Sequence, residues 1–166
     1  MEIKQLFSAD AKAYWELRIE ALKENPESFV TVYDEALETK GPLQKYQEEL
    51  SSDLEITYGA FEKEELIGSI TLRLESPRKL KHKGHILNMY VTPEFRKKGV
   101  GKELMDKIVE VAKSYKIEQL QLTVVSTIKA ATTFYSKYGF ETYGVEMKGL
   151  KLDHTYWDQN LMVLFL

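Results

Sequence analysis

The stretch His85–Tyr115, HILNMYVTPEFRKKGVGKELMDKIVEVAKSY, decides how the rest of the chain is read. Residues 86–92 are apolar or β-favouring on both faces, the pattern of a strand buried in the middle of a sheet. Thr92-Pro93 ends it, because the residue before a proline is pushed out of the helical region and Pro93 cannot donate to a ladder. From Val100 the period changes to three and four. Val100, Leu104, Met105, Ile108, Val109, Val111, Ala112 and Tyr115 then give one broad apolar helix face, with Glu103 and Lys107 paired on the other side.

Between strand and helix stands Arg96-Lys97-Lys98-Gly99-Val100-Gly101. A helix N-terminus presents unpaired N–H groups and a partial positive charge, so it holds anions. Gly99 and Gly101 let the backbone turn and let a ligand approach where a Cβ would intrude. Arg96, Lys97 and Lys98 add positive charge at the same place, and all three devices converge on a phosphate.

A P-loop would need Gly, four residues and then Gly-Lys-Ser/Thr, which Arg96 and Glu103 break. A dinucleotide fingerprint would need a third glycine where Leu104 stands. What remains is Arg-x-x-Gly-x-Gly between a strand and a helix. A second motif follows in residues 124–140, VVSTIKAATTFYSKYGF.

With these two motifs the chain resembles the GNAT superfamily of N-acetyltransferases over most of its length. In that family the first turn binds the pyrophosphate of acetyl-coenzyme A, which here implies Arg96, Lys97, Lys98, Gly99, Val100, Gly101 and Lys102. The second motif usually has an Asn, an Ala three residues on, an apolar-Tyr pair and Gly-Phe. Ala131, Phe134, Tyr135, Gly139 and Phe140 fit, while Ile128 replaces the Asn that commonly bonds the pantetheine arm.

The resemblance implies an α/β (α+β) fold with a mixed, mostly antiparallel central sheet, a splayed parallel strand pair and flanking helices. One acetyltransferase domain is expected over residues 1–166, with the coenzyme arm in the gap between the strands at 86–92 and 119–125. Main-chain groups of Met89, Tyr90 and Val91 would bond its amides, and the Tyr90 N–H would polarise the thioester carbonyl. Tyr135 falls where the family keeps a tyrosine beside the coenzyme sulfur, which implies a general acid. Many relatives carry a Glu on the central strand. Here Asn88 stands in that region; it cannot accept a proton at neutral pH, so its expected role is to orient the acceptor. An ordered water or His85 is left as base.

The remaining sequence is consistent with a single enzyme-sized unit. Apolar residues are 43% and charged residues 30%, ordinary for a soluble domain. A net charge of −3 offers no basic field for nucleic acid. Zero cysteines exclude disulfides and thiolate metal sites, so no metal is expected. No signal-like segment and no apolar run long enough for a membrane is present, so a cytoplasmic protein without membrane partner is expected.

In chain order, residues 2–7 read as a strand and a helix runs from Ser8 or Asp10 to about Glu24, stopped by Asn25-Pro26. The segment 17–37 resembles the part of many GNAT proteins that walls the acceptor site, marking Phe29, Tyr33, Glu35 and Glu38. A short helix begins at Pro42, and residues 56–60 and 66–74 alternate as a hairpin through 62–65. Residues 77–84 form a basic connection. A strand over 118–125, a helix over 128–138, and strands near 140–147 and 157–165 joined by a loop over 149–159 complete the chain.

The acceptor is read only as an amine of a small molecule or peptide. Glu35, Glu38, Asp153 and Asp158 would suit a cationic one such as a polyamine. The C-terminal LMVLFL fits either a homodimer surface or a buried strand. A second reading is a catalytically silent acyl-CoA-binding sensor, motivated by Ile128 and the missing strand glutamate.

Overall fold

A computed structural model describes residues 1–166. In chain order the elements are β1 (Glu2–Gln5), α1 (Ala11–Glu24), α2 (Tyr33–Glu38), α3 (Pro42–Glu49), β2 (Glu55–Glu62), β3 (Glu65–Leu74), β4 (Lys83–Val91), α4 (Val100–Ser114), β5 (Gln119–Val125), α5 (Lys129–Tyr138), β6 (Glu141–Leu152) and β7 (Thr155–Phe165). The seven strands form one sheet in the order β1-β2-β3-β4-β5-β7-β6. Only β4 and β5 run parallel; every other pair is antiparallel. This is the mixed, mostly antiparallel sheet that the sequence implies.

Local chemistry sets the boundaries. A 3₁₀ turn over Ser8–Asp10 precedes α1, and the Phe7 N–H donates to Asp10 Oδ2 at 2.9 Å, so the aspartate fixes the chain's entry into the helix. The β2–β3 hairpin turns on Lys63 and Glu64, both left-handed (φ 48° and 71°), which matches the twist of the flanking strands. Gly139 stops α5 with φ 117°.

Helix α4 lays its apolar stripe across one face of the sheet. Leu104, Met105, Ile108 and Ala112 are fully buried against Ile70, Leu72, Ile86 and Leu120. Each such aliphatic side chain contributes about 1.5–3 kcal/mol by leaving water. Helices α1 and α3 cover the other face with Tyr14, Leu17, Ala21 and Tyr46. Between β2 and β3 the buried hydroxyls of Thr57 and Thr71 satisfy one another at 2.8 Å. No helix is long and apolar enough to cross a membrane.

Three boundaries differ from the sequence reading. The central strand starts at Lys83, not 86, because the basic connection closes early through the Lys83 N–H to Leu80 carbonyl bond at 2.8 Å. Residues 149–159 are not a loop. The β6–β7 ladder breaks near Lys148 (φ 54°), resumes at Leu150↔Trp157, and turns only at Asp153-His154. Helix α2 was not anticipated. The C-terminal run lies in β7, paired on both sides by β5 and β6, with Met162 and Val163 buried, so strand packing accounts for it within one chain.

Candidate functional site

The turn after β4 is built around main-chain donors. A 3₁₀ turn over Pro93–Phe95 leads to Lys97 (φ 60°) and Gly99 (φ 90°), and α4 begins at Val100 with no side-chain cap. The N–H groups of Gly99, Val100, Gly101 and Lys102 have no well-formed protein acceptor. A Cβ at Gly99 would project into open space, and one at Gly101 would stand 3.2 Å from Met89 Cε. Those uncapped donors and glycine surfaces fit a diphosphate.

The basic side chains contribute less directly. Arg96 turns back on the protein, donating from Nε to the Val91 carbonyl at 2.9 Å and from Nη2 to Asn25 Oδ1 at 2.8 Å. Lys102 Nζ binds Asp106 Oδ2 at 2.6 Å, and Lys98 Nζ lies 5.0 Å over the Phe95 ring. These side chains are thus engaged within the protein, and the unpartnered donors of the turn are main-chain N–H groups.

Strand β4 opens the cleft. It pairs with β5 only over Lys83–His85 and Gln119–Gln121, after which the two strands part. On its other side the β3 register slips between Ser69 and Thr71, and Asn88 sits in the gap with φ 51°. Asn is one of the few residues that tolerate that conformation. The bulge fixes which main-chain groups face the cleft. Thr92 N–H donates to Ile67 O at 2.9 Å, so antiparallel alternation makes Ser69↔Tyr90 the next hydrogen-bonded pair. The Tyr90 N–H therefore points into β3, and those of Met89 and Val91 point toward the cleft. This corrects the expectation that Tyr90 polarises a carbonyl. The Tyr90 phenol is also engaged, donating to Glu20 Oε1 at 2.9 Å.

Helix α5 forms the opposite wall of a cleft of about 1230 Å3, lined among others by Asn88, Met89, Val91, Gly99, Gly101, Ile128, Ala131, Phe134 and Tyr135. The Tyr135 hydroxyl has one partner, Met89 Sδ at 3.4 Å. Burial pushes this phenol well above its ordinary pKa, so it stays protonated at neutral pH. Phe134 and Phe140 hold the Tyr135 ring edge-on, with centroids 5.3 and 5.8 Å away. Ile128 occupies the N-cap of α5 without any side-chain bond, so the helix start is uncapped beside the cleft.

Beyond the bulge lie the groups suited to an acceptor. His85 Nε2 is 2.9 Å from Glu75 Oε1. With that carboxylate as acceptor, Nε2 carries the proton and Nδ1 is left to take one. Burial and the neighbouring Arg73 hold the imidazole below its ordinary pKa against the opposing pull of Glu75. Of the residues proposed from sequence to wall the acceptor, Phe29 lines the cleft, whereas Tyr33, Glu35, Glu38, Asp153 and Asp158 do not. Asp158 instead accepts the Lys148 N–H at 2.7 Å and holds the break in β6. Sequence reading missed Arg18 and Arg73, which do line it. The signal for Arg18 was present: it interrupts the apolar stripe of α1 beside Tyr14, Leu17 and Ala21.

Comparison with known proteins agrees with this geometry. The family model described as "Acetyltransferase (GNAT) family" matches residues 15–140. An N-alpha-acetyltransferase from Sulfolobus acidocaldarius is 30% identical over 166 residues, covering 95% of this chain and 94% of its own. A spermidine N(1)-acetyltransferase from Thermoplasma acidophilum is 27% identical over 150 residues, covering 85% of this chain and 88% of its own. A Salmonella typhimurium protein solved with its cofactor acetyl-CoA shares the fold at a TM-score of 0.83 and 17% identity, over 99% of this chain and 93% of that one.

Proposed function

The chain belongs to the GNAT acetyltransferase family, and on that premise we propose that it acetylates a primary amine of a small molecule or peptide by direct transfer, with Tyr135 as general acid. Acetyl-CoA, when bound, supplies an activated acetyl thioester. The uncapped N–H groups of Gly99, Val100, Gly101 and Lys102 would hold its diphosphate. Met89 and Val91 would present main-chain groups to its arm along the edge where β4 leaves β5, with Ile128, Ala131 and Phe134 packing from the other side.

In the chemical step an N–C bond forms and the thioester C–S bond breaks. The Met89 N–H donates to the carbonyl oxygen as charge gathers there. His85, oriented by Glu75, takes the proton released by the amine at Nδ1. Tyr135 gives its Oη proton to the departing sulfur and is reprotonated from solvent. Asn88, which lines the same cleft, would orient the incoming amine.

The observation that carries this reading is the splayed gap itself, with free helix-terminal N–H groups at one end and a protonated, partly buried phenol at the other. The test is release of free thiol from acetyl-CoA across a panel of amines. Steady turnover with any of them supports transfer. Tight acetyl-CoA binding with no turnover favours the silent sensor instead.

A further inference from the structure

Resting on the acyl-transfer reading, we propose that the amine accepted by this cleft also carries a carboxylate, and that the Arg18 guanidinium binds it. Arg18 is only 6% exposed, yet it lines the cleft. Its Nη1 is buried without any hydrogen-bond partner, and Arg18 takes part in none of the ion pairs of the chain. An arginine cannot shed its charge, and a buried charge without a counter-ion is costly. Leu or Met at this position of α1 would pack among Tyr14, Leu17 and Ala21 without that cost. The free enzyme thus keeps a cation that Tyr46 and Glu49 approach but with which no carboxylate forms an ion pair.

The Glu49 carboxylate on α3 lies near enough to feel the Arg18 charge but makes no ion pair with it. It pairs instead with Lys45 at 3.8 Å, and its burial raises its pKa against the pull of Lys45 and Arg18. The guanidinium is also held for recognition: its Cζ lies 4.7 Å from the centroid of the Phe29 ring, which covers one face of the planar fork. Such a fork matches a carboxylate with two parallel hydrogen bonds.

Charge on the rest of the acceptor end agrees. Arg73 adds a second cation there, and Glu146 is the only carboxylate lining the cleft. A polyamine would meet two arginines with one acid to balance them. An amino acid or an acidic peptide N-terminus presents an amine and an anion together, and those two sources share the chemistry named here.

The test uses the full chain, saturating acetyl-CoA and matched acceptor pairs: free amino acids against their amides, peptides starting with Asp or Glu against their Asn or Gln counterparts, and a diamine. In the wild type, kcat/KM for the acid should exceed that for the amide by about 100-fold, the scale of one charge-assisted bidentate contact. Arg18→Met should collapse that ratio toward one, acting through KM, with acetyl-CoA affinity and melting temperature preserved. Arg18→Lys should restore part of it, and serves alone if Arg18→Met does not fold. Equal turnover of acid and amide by the wild type, preference for the diamine, or a ratio untouched by both variants overturns the proposal. If no amine is turned over, the transferase reading fails separately. The anion site is then judged by calorimetry of N-acetylated amino acids and their amides in the presence of coenzyme A. Preference for the acid in the wild type, weakened in Arg18→Lys, supports it, and equal binding refutes it.

Discussion

The Tyr135 hydroxyl lies 3.4 Å from Met89 Sδ, bridging helix α5 to the bulged part of strand β4. A thioether is a weak acceptor, so this contact positions the phenol without strongly engaging its proton. Burial keeps the proton on until a developing thiolate competes for it. Tyr135→Phe should therefore lower kcat by roughly 100-fold, within the range of a lost general acid. Acetyl-CoA affinity by calorimetry should remain close to wild type, since the ring and its aromatic neighbours are retained. An unchanged kcat would remove Tyr135 from the chemistry.

With His85 as the proposed base, its titration should set an acidic limb of the pH profile. Its pKa is lowered by burial and by Arg73, so the neutral base persists below the ordinary imidazole value. At saturating acceptor, the fall in kcat due to His85 is expected only below that value, as protonation removes the lone pair at Nδ1. Glu75→Gln removes the charge that raises the pKa, so the limb should move to still lower pH while kcat drops from lost orientation. His85→Gln should abolish the limb. The same shift affects stability. The unfolded chain takes up the proton first, so folding free energy is fully present above the ordinary value and declines as pH falls below it. An identical profile in His85→Gln would return the role to water.

Much of this site was legible because its signals are local. Pro93, Gly99, Gly101 and the 3.6-residue period from Val100 determine a strand, turn and helix without reference to anything distant. The bulge at Asn88 is different. It arises from the β3–β4 register, which no stretch of β4 encodes alone, and it decides that the N–H groups of Met89 and Val91 face the cleft while that of Tyr90 faces β3. The same limit explains residues 149–159, whose polar composition suggests a loop although pairing of Leu150 with Trp157 makes them strands. The acids chosen from sequence as acceptor contacts failed for a related reason, since topology alone determines which acids meet the cleft. Arg18 was the inverse case, a charge on an apolar stripe whose meaning needed only the helix period.

The energetic weight of the fold at this site rests on α4. Ile108 is fully buried in the cluster that joins α4 to the sheet. Ile108→Ala should cost about 2–5 kcal/mol, the transfer loss plus the cavity left behind. For a chain of this size, that corresponds to a fall of roughly 5–15 °C in melting temperature. Val109→Ala, on the partly buried flank of the same helix, should cost clearly less. Equal losses from the two substitutions in urea denaturation would show that the helix is not anchored through its buried stripe.

Gly99 and Gly101 test the anion cradle in two distinct ways. Gly99 has φ 90°, which an L side chain adopts only at a cost of about 1–2 kcal/mol, and no atom lies within 4 Å of its built Cβ. In Gly99→Val the branched side chain would fill the space onto which the free N–H groups open. Losing two or more charged main-chain hydrogen bonds, each worth about 1.5–3 kcal/mol, should raise the acetyl-CoA dissociation constant by more than about 100-fold. Gly101 has an ordinary backbone, but its Cβ would stand 3.2 Å from Met89 Cε and 3.6 Å from the Phe134 ring. Gly101→Ala should thus shift Met89 and weaken turnover more than binding, because Met89 also touches Tyr135. Calorimetry with acetyl-CoA separates the two variants. Wild-type affinity in Gly99→Val would mean that the diphosphate does not sit on the N-terminus of α4.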